Sequence, residues 1–371
     1  MGSHVSLAKY RAGLLRLALC GIAAVAGVAV QSASAEQGAL SVYTESNAAA
    51  GNQLLIFTQR ENGSLALTLA LPTHGVGSGG GLSNEGALAM SPGGSMLFAV
   101  NAASNSISAF RIGDEKVEFI ATTPSGGLSP VSLTAYDDLL YVLNQGSDDI
   151  TGFRVHDDGS LEALPGSTQR LSGAGVGGAQ LAFSRGGDFL VATEKLASQI
   201  GVFALLDGVA QPGQFQQSYG PVPFGFAVDR RDRLVVSEAA GSAVTSYDLD
   251  TDIGGLSVIS GSVPTNQAAA CWVAETPNGR FAFTGNAGSG SVSVFSIDHA
   301  GRLAELGSTP IGATAHTTDL AVSANSKLLF ALDGGTGTIN GFRVGSDGGL
   351  TALPAMPSSS LLTAATGLLV R

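Results

Sequence analysis

The sequence predicts an all-β fold, a seven-bladed β-propeller built from four-stranded antiparallel blades. Three observations predict it: a repeat that runs the length of the chain, strand-type runs inside each repeat, and chain ends that complete one another. Apolar tetrads begin at Leu88, Leu133, Leu181, Phe226, Trp272, Leu320 and Leu368, 45 to 48 residues apart, the spacing of a four-stranded blade. All but the last are followed by a polar turn and a second apolar run: MLFAVN to Asn101, LLYVLN to Asn144, FLVATE to Glu194, RLVVSE to Glu238, FAFTGN to Asn286 and LLFALD to Asp333. LSVYTE, ending at Glu45, is the N-terminal copy of that run. A third run closes on an aromatic, at Phe57, Phe110, Phe153, Phe203, Tyr247, Phe295 and Phe342. Short runs rich in Val, Ile, Phe and Tyr, punctuated by Gly, Asn, Asp and Ser, form antiparallel strands rather than helices. A fourth, less regular strand follows, as at Leu65 to Leu71, Val117 to Thr122 and Leu350 to Leu353.

The ends settle closure. The N-terminal copy has second, third and fourth strands but no inner one, whereas Gly367 to Arg371 is an inner strand with nothing after it. Joined, they make one blade and leave no inner edge unpaired, which is how a radial β architecture avoids edge-strand association. The propeller is expected to span residues 36–371 as a single domain.

Composition agrees. Hydrophobic residues at 44%, charged residues at 13% and 52 glycines suit strands buried on both faces between tight turns. Residues 1–35 stand apart: Lys9, Arg11 and Arg16 precede an apolar stretch from Leu17 to Val30, and Ala33-Ser34-Ala35 has the small residues of a cleavage site. That pattern is a secretory signal peptide cut after Ala35, too short and wrongly flanked for a membrane span. It places the protein in the periplasm or outside the cell. Without the leader, 15 Lys plus Arg face 29 Asp plus Glu, net −14, a poor match for nucleic acid or an anionic membrane. Only Cys271 then remains, so no internal disulfide forms and a monomer stabilised by its sheets is expected.

If each inner strand starts at the top face, the first-to-second and third-to-fourth connections lie at the bottom. These are short and charged, as in Arg185 to Asp188, Asp229 to Arg233 and Asn278 to Arg280, and have the look of solvated hairpin turns. The top connections, Gly75 to Glu85, Leu171 to Gln180, Tyr219 to Gly225, Thr265 to Cys271 and Gly312 to Asp319, are longer and almost uncharged. Functional loops are expected on that face of a rigid scaffold.

At the top, the second strands end in Glu45, Asn101, Asn144, Glu194, Glu238, Asn286 and Asp333, each an amide or a carboxylate. Such side chains either accept hydrogen bonds from the following turn or open onto the channel mouth. Glu194, with Lys195 beside it and Glu238 one blade on, is a candidate acid/base pair. His316, with Asp319 close behind, is a candidate general base or a loop His bonded to backbone. Phe224 and Trp272 offer apolar faces to a ligand, although Trp272 is also placed to plug the channel, and Cys271 beside it has no basic activator and is expected to be buried and inert. No nucleophile elbow, zinc-protease helix, paired-Cys motif, phosphate loop or EF-hand loop is present. No cofactor is signalled; Ca²⁺ held by the Glu and Asn ring is the alternative.

Copies such as ALAMSPGGSMLFAVNAASNSISAFRI and DLAVSANSKLLFALDGGTGTINGFRV resemble the blades of the lactonase-type seven-bladed propellers, the group that includes bacterial 6-phosphogluconolactonase and fungal carboxymuconate cyclase. The resemblance runs from about Gly38 to Arg371. It implies opening or closing of a lactone ring by His, Arg and Glu around the channel mouth, with Glu194 and Glu238 in the carboxylate role and His316 in the histidine role. The arginine is missing: Arg111, Arg154 and Arg343 lie on third strands running toward the bottom, leaving Lys195 as the cationic substitute. An anionic substrate wants a guanidinium or ammonium clamp, so the expectation is a hydrolase acting on a neutral or weakly charged lactone. Glu194 or His316 would activate water while Asn144, Gln180 and Asn286 orient the ring and steady the oxyanion, and Asn101 and Asp333 would complete the binding rim. The alternative is a non-catalytic propeller that uses the same face to bind a ligand or protein.

Overall fold

The computed structural model describes residues 40–113 and 116–371; the expected leader lies outside them. Seven antiparallel sheets carry the chain. From the innermost strand outward, blade 1 is Thr366–Val370, Ser41–Glu45, Gln53–Gln59 and Leu65–Pro72, and blade 2 is Leu88–Met90, Met96–Asn101, Ser106–Ile112 and Val117–Pro124. Blade 3 begins Pro130–Tyr136, Leu139–Asn144 and Asp149–Val155, and blade 4 begins Gly178–Phe183, Phe189–Glu194 and Gln199–Leu206. In these two the outermost strand is broken into Leu161–Ala163 with Gln169–Arg170, and Val209–Ala210 with Gln214–Gln217. Blade 5 is Pro223–Val228, Arg233–Glu238, Ala243–Asp250 and Gly255–Pro264; blade 6 is Ala270–Glu275, Phe281–Asn286, Ser291–Ile297 and Leu303–Pro310. Blade 7 is Thr317–Val322, Leu328–Asp333, Thr338–Val344 and Leu350–Ala352.

Closure occurs where the chain ends complement each other. Val42 faces Val370, Tyr43 faces Leu369 and Glu45 faces Thr366, and Ser41 and Arg371 exchange backbone hydrogen bonds of 2.8 and 2.9 Å.

The core is seven seams rather than one centre. Each second strand is wedged between two neighbouring blades, so its alternate side chains go to different seams. In Met96–Asn101, Leu97 and Ala99 pack with Tyr43, Leu54 and Ile56 of blade 1, while Met96, Phe98 and Val100 pack with Leu133, Leu140 and Phe153 of blade 3. Burial on both faces explains why these strands read as unbroken apolar runs instead of alternating ones. The third-strand aromatics fill the same seams, Phe57, Phe110, Phe153, Phe203, Tyr247 and Phe295 all being buried; removing one such ring costs about 3–5 kcal/mol. Outermost strands, facing water on one side, do alternate: in Leu303–Pro310 buried or half-buried residues take turns with exposed ones.

Six inner strands share one irregularity. Their pairing with the second strand slips by a residue just below the top face, as between Pro130 and Ser132, Ala270 and Trp272, or Thr317 and Asp319. A bulge of this kind re-aims the residues around it, and here it marks the rim of the channel.

Candidate functional site

The seven strand-end residues turn inward. Glu45, Asn101, Asn144, Glu194, Glu238, Asn286 and Asp333 are all fully or almost fully buried, and each is engaged by nearby strands or turns. Asn101 Nδ2 donates to Ser106 and Ser108 at 3.2 and 2.8 Å, and Asn286 Nδ2 to Ser291 and Ser293 at 3.1 and 3.0 Å. Asn144 Nδ2 donates to Asp149 at 2.9 Å. The longer carboxylates reach the top connections: Glu194 accepts from the backbone and hydroxyl of Ser172, and Glu238 from the hydroxyls of Thr245 and Ser262. Asp333 accepts from the amides of His316, Gly335 and Thr336. Of the two alternatives for these side chains, the structure shows hydrogen bonding to nearby strands and turns, which braces each blade top. Burial pushes the Glu194 carboxyl above its ordinary range, against the Ser172 bonds. Among the described residues, no group of three or more His, Cys, Asp or Glu side chains is arranged to hold a metal ion.

Other candidates are also braces. Gln180, expected to orient a substrate, spans two inner strands instead, donating to Phe226 O at 2.9 Å and accepting from Phe226 N at 2.5 Å. His316 is exposed, and its Nδ1 meets Ala287 O at 3.1 Å, so the ring is tied to backbone. Asp319 is buried, with its Oδ1 on Leu320 N at 2.7 Å, and makes no ion pair with His316.

At the top of the channel Trp272 is joined by a loop. The connection from blade 1 to blade 2 dips into the channel at Ser83–Gly86 and touches inner strands around the ring. Asn84 donates to Val131 O, accepts from the Thr366 hydroxyl at 2.9 Å, and its carbonyl accepts from Trp272 Nε1 at 2.8 Å. Glu85 N donates to Ala179 O at 3.1 Å, its Oε2 accepts from Val273 N at 3.2 Å, and Gly86 O accepts from Leu133 N at 2.7 Å. Gly225 makes room for this plug: a Cβ there would meet Glu85 Oε2 at 1.7 Å. The sequence carried a signal for Glu85, the one acidic side chain in its otherwise uncharged loop from Gly75.

Two carboxyls lie buried at the plug. Burial, then the charge of Asp319, raises Glu85 far above the usual range, and burial raises Asp319 to about 8 despite the backbone amides of Leu320, Gly367 and Leu368. In both, burial favours the protonated carboxyl.

Lys195 forms the rim. It donates to Ser83 O and lies 5.4 Å from the centre of the Phe224 ring, which meets the Trp272 ring edge-on at 5.4 Å. Half-burial lowers its ammonium to about 8. Burial, then Glu85, pushes the neighbouring Cys271 thiol up to about 12 against the pull of Lys195, so it stays protonated and unreactive. The structure thus brings together Lys195, Phe224 and Trp272 with Glu85 and Asp319, whereas Glu194 is engaged by Ser172, Glu238 by Thr245 and Ser262, and His316 by Ala287 O.

The bottom face is not merely solvated turns. Between blades 5 and 6 those turns enclose a cavity of about 760 Å³ lined by Arg185, Arg230, Arg231, Arg233 and Arg280 with Glu275. A smaller one of about 330 Å³, between blades 6 and 7, includes Arg280, Lys327 and Arg343.

Over residues 51–176, 166–271 and 235–362 the chain matches the seven-bladed β-propeller lactonase family. It belongs to that family. Solved structures agree at the level of fold. A candidate 6-phosphogluconolactonase of Bacteroides fragilis is 19% identical with a TM-score of 0.72, over 91% of this chain and 99% of that one. The periplasmic gluconolactonase of Pseudomonas aeruginosa is 15% identical with a TM-score of 0.69, over 90% and 98%. Virginiamycin B lyase of Staphylococcus aureus is 15% identical with a TM-score of 0.54, over 74% and 84%. No curated protein matches the sequence. One lactonase-type scaffold thus resembles proteins of different named chemistry, so the site has to be argued from side chains. No described helix is long and apolar enough to cross a membrane.

Proposed function

We propose that this lactonase-family propeller is an exported hydrolase that opens a neutral or weakly charged lactone at the top mouth, with Lys195 as its acid and base. The observation that carries the reading is the placement of Lys195, half-buried against Phe224 and the plug carbonyl of Ser83 with its ammonium lowered to about 8. A lysine with that value is unprotonated in about one molecule in ten at pH 7, a useful fraction for a general base. Its amine takes a proton from water as the oxygen attacks the lactone carbonyl; the resulting ammonium steadies the oxyanion and returns the proton to the ring oxygen as the carbon–oxygen bond breaks. The product is the open hydroxy acid. Phe224 and Trp272 supply the apolar wall, and a single ammonium instead of an arginine pair favours an uncharged ring. Export rests on the leader of residues 1–35.

The test is hydrolysis of aliphatic and sugar lactones by the chain lacking residues 1–35, followed by proton release. Turnover is expected to rise with an inflection near pH 8 and to fall about 100-fold or more in Lys195→Met, with an unchanged melting curve. Full activity in that variant removes the assignment.

A second reading has its own support. All seven strand-end side chains are spent on hydrogen bonds or buried, while Val76, Leu128, Leu196 and Tyr219 stand exposed on top connections, as on a face that binds without chemistry. Absence of turnover on every lactone at any pH would favour this binding platform.

A further inference from the structure

The bottom cavity has features that a set of solvated turns does not need. Without residues 1–35 the chain has net charge −14 and twelve arginines, and five of the twelve line this one concavity. Crowding like charges costs energy unless something compensates them. Only part of the compensation is internal. Arg233 is paired with Asp229 through two nitrogens, with both side chains largely buried. Arg231 and Arg233 both donate to His299 O, at 2.8 and 3.1 Å. Arg280 is held by Ser346 O at 2.9 Å and stacks 5.1 Å from the Phe281 ring centre. Among the described residues, the side chains of Arg185 and Arg230 make no hydrogen bond, although the backbone N–H of Arg185 donates to the Asp232 carboxylate. The wall thus combines guanidinium groups fixed by backbone carbonyls with two that are free to close.

The acidic side chains do not cancel them. Asp298 is occupied by Arg302 at 2.7 Å. Glu275, whose Oε2 is buried without a partner, is raised to about 8 by burial and by Asp229, against the pull of Arg233. It faces the cavity as an uncharged acid able to donate one hydrogen bond.

We propose that the cavity between blades 5 and 6 binds a small multivalent anion, a phosphate- or polycarboxylate-bearing molecule, clamped by Arg185, Arg230, Arg231 and Arg280. Planar guanidinium forks match both kinds of oxyanion, and a concavity of about 760 Å³ fits a small molecule better than a polymer, which reads flat or grooved surfaces. The site lies on the opposite face from the top mouth and does not depend on lactone chemistry.

Binding should weaken above pH 8. The charged and titratable groups that line the cavity with Glu275 are Asp229, Arg230, Arg231 and Arg233 from blade 5, Arg280 of its own blade, Asp298 and His299 from the outer turn, and Arg185 from blade 4. Of these, Glu275 is the group whose ionisation adds a negative charge to the wall in that range.

The experiment is calorimetric titration of the chain lacking residues 1–35 with pyrophosphate and with citrate at low ionic strength, with acetate as control. One site is expected for at least one of the two, and whichever binds identifies the oxyanion class. Arg185→Ala and Arg230→Ala, which break no bond that the fold uses, should each weaken it about tenfold without altering the melting temperature. Between pH 7 and pH 9 the affinity should fall about tenfold in the parent and stay level in Glu275→Gln. Failure of both anions to bind overturns the proposal, as does binding that neither arginine variant changes. Lactone turnover without the anion should be the same in all three variants, so loss of one activity says nothing against the other.

Discussion

The two faces of this propeller spend their polar groups in opposite ways. At the top, long and nearly uncharged connections fold inward: Asn84 and Glu85 cross the channel, and Glu194 and Glu238 are bonded by Ser172, Thr245 and Ser262. At the bottom, tight turns such as Asp229–Arg233 and Thr276–Arg280 cannot reach inward, so their long side chains stand around cavities instead. Connection length decides the difference. A long loop can satisfy buried groups with its own backbone, whereas a turn of five residues or fewer presents side chains to solvent. Polarity alone therefore misleads about placement: the carboxylates that resemble a catalytic ring are hydrogen-bonded into the blade tops, and the turns that resemble plain hairpins form the charged concavity.

The comparison presupposes a closed ring, and opening the ring should have the largest effect. Deleting Thr366–Arg371 strips the partner from Ser41–Glu45 and takes Leu368 out of the seam with Leu55, Phe57 and Phe330. It also removes the hydroxyl that holds Asn84. Loss of Leu368 packing alone is worth about 2–5 kcal/mol, which lowers the melting temperature of a chain this long by about 3–7 °C, and the lost strand pairing adds to that. Circular dichroism melting checks this, and a parent-like melt would mean that blade 1 does not need its inner strand.

The fold was legible because its signal repeats. Seven aromatics and seven polar strand ends fall at one period, and each residue's environment is dictated by its place in a blade. The plug was harder to read because it occurs once. Asn84 and Glu85 belong to no repeat, and what makes them central is contact with Trp272, Val273 and Ala179, up to about 190 positions away in sequence. For the strand ends, residue type was legible and the choice between bonding to the following turn and opening onto the channel was not. Sequence gives Glu194 next to Lys195 but not that one turns into Ser172 while the other reaches Ser83. The bottom cavity was divided among Arg185, Asp229 to Arg233 and Asn278 to Arg280, three turns that only the ring brings together.

A smaller change sharpens the contrast between a packed top and an open bottom. Gly225→Ala puts a methyl 1.7 Å from Glu85 Oε2 and 2.8 Å from Cys271 O, whereas Gly93→Ala in a bottom turn meets nothing within 4 Å. The first should cost about 1–3 kcal/mol by forcing the plug or the strand to shift; the second should be nearly neutral. Denaturant midpoints of the two variants measure both. Equal midpoints would mean that the plug yields freely, and the top would then be a mouth with a movable stopper.

The plug also imposes a pH dependence, about 1.4 kcal/mol per pH unit for each proton it retains. Glu85 and Asp319 are carboxyls whose folded values are raised, Asp319 to about 8, by burial and, for Glu85, by the neighbouring charge. The folded chain therefore holds protons that the unfolded chain releases above about pH 4. The sign follows: this stability is fully present below the unfolded values and is lost as pH rises through the folded ones. Between pH 6 and pH 7 each retained proton should lower stability by about 1.4 kcal/mol. Glu45, Glu194 and Glu275, also raised by burial, push in the same direction. Replacing both plug carboxyls in Glu85→Gln/Asp319→Asn keeps acceptors for Val273 N and Leu320 N and should flatten the slope without abolishing it. Urea titrations at pH 5, 6, 7 and 8 test this, because a slope unchanged in the double variant would assign the retained protons to Glu45, Glu194 and Glu275 and leave the plug without a part in pH dependence.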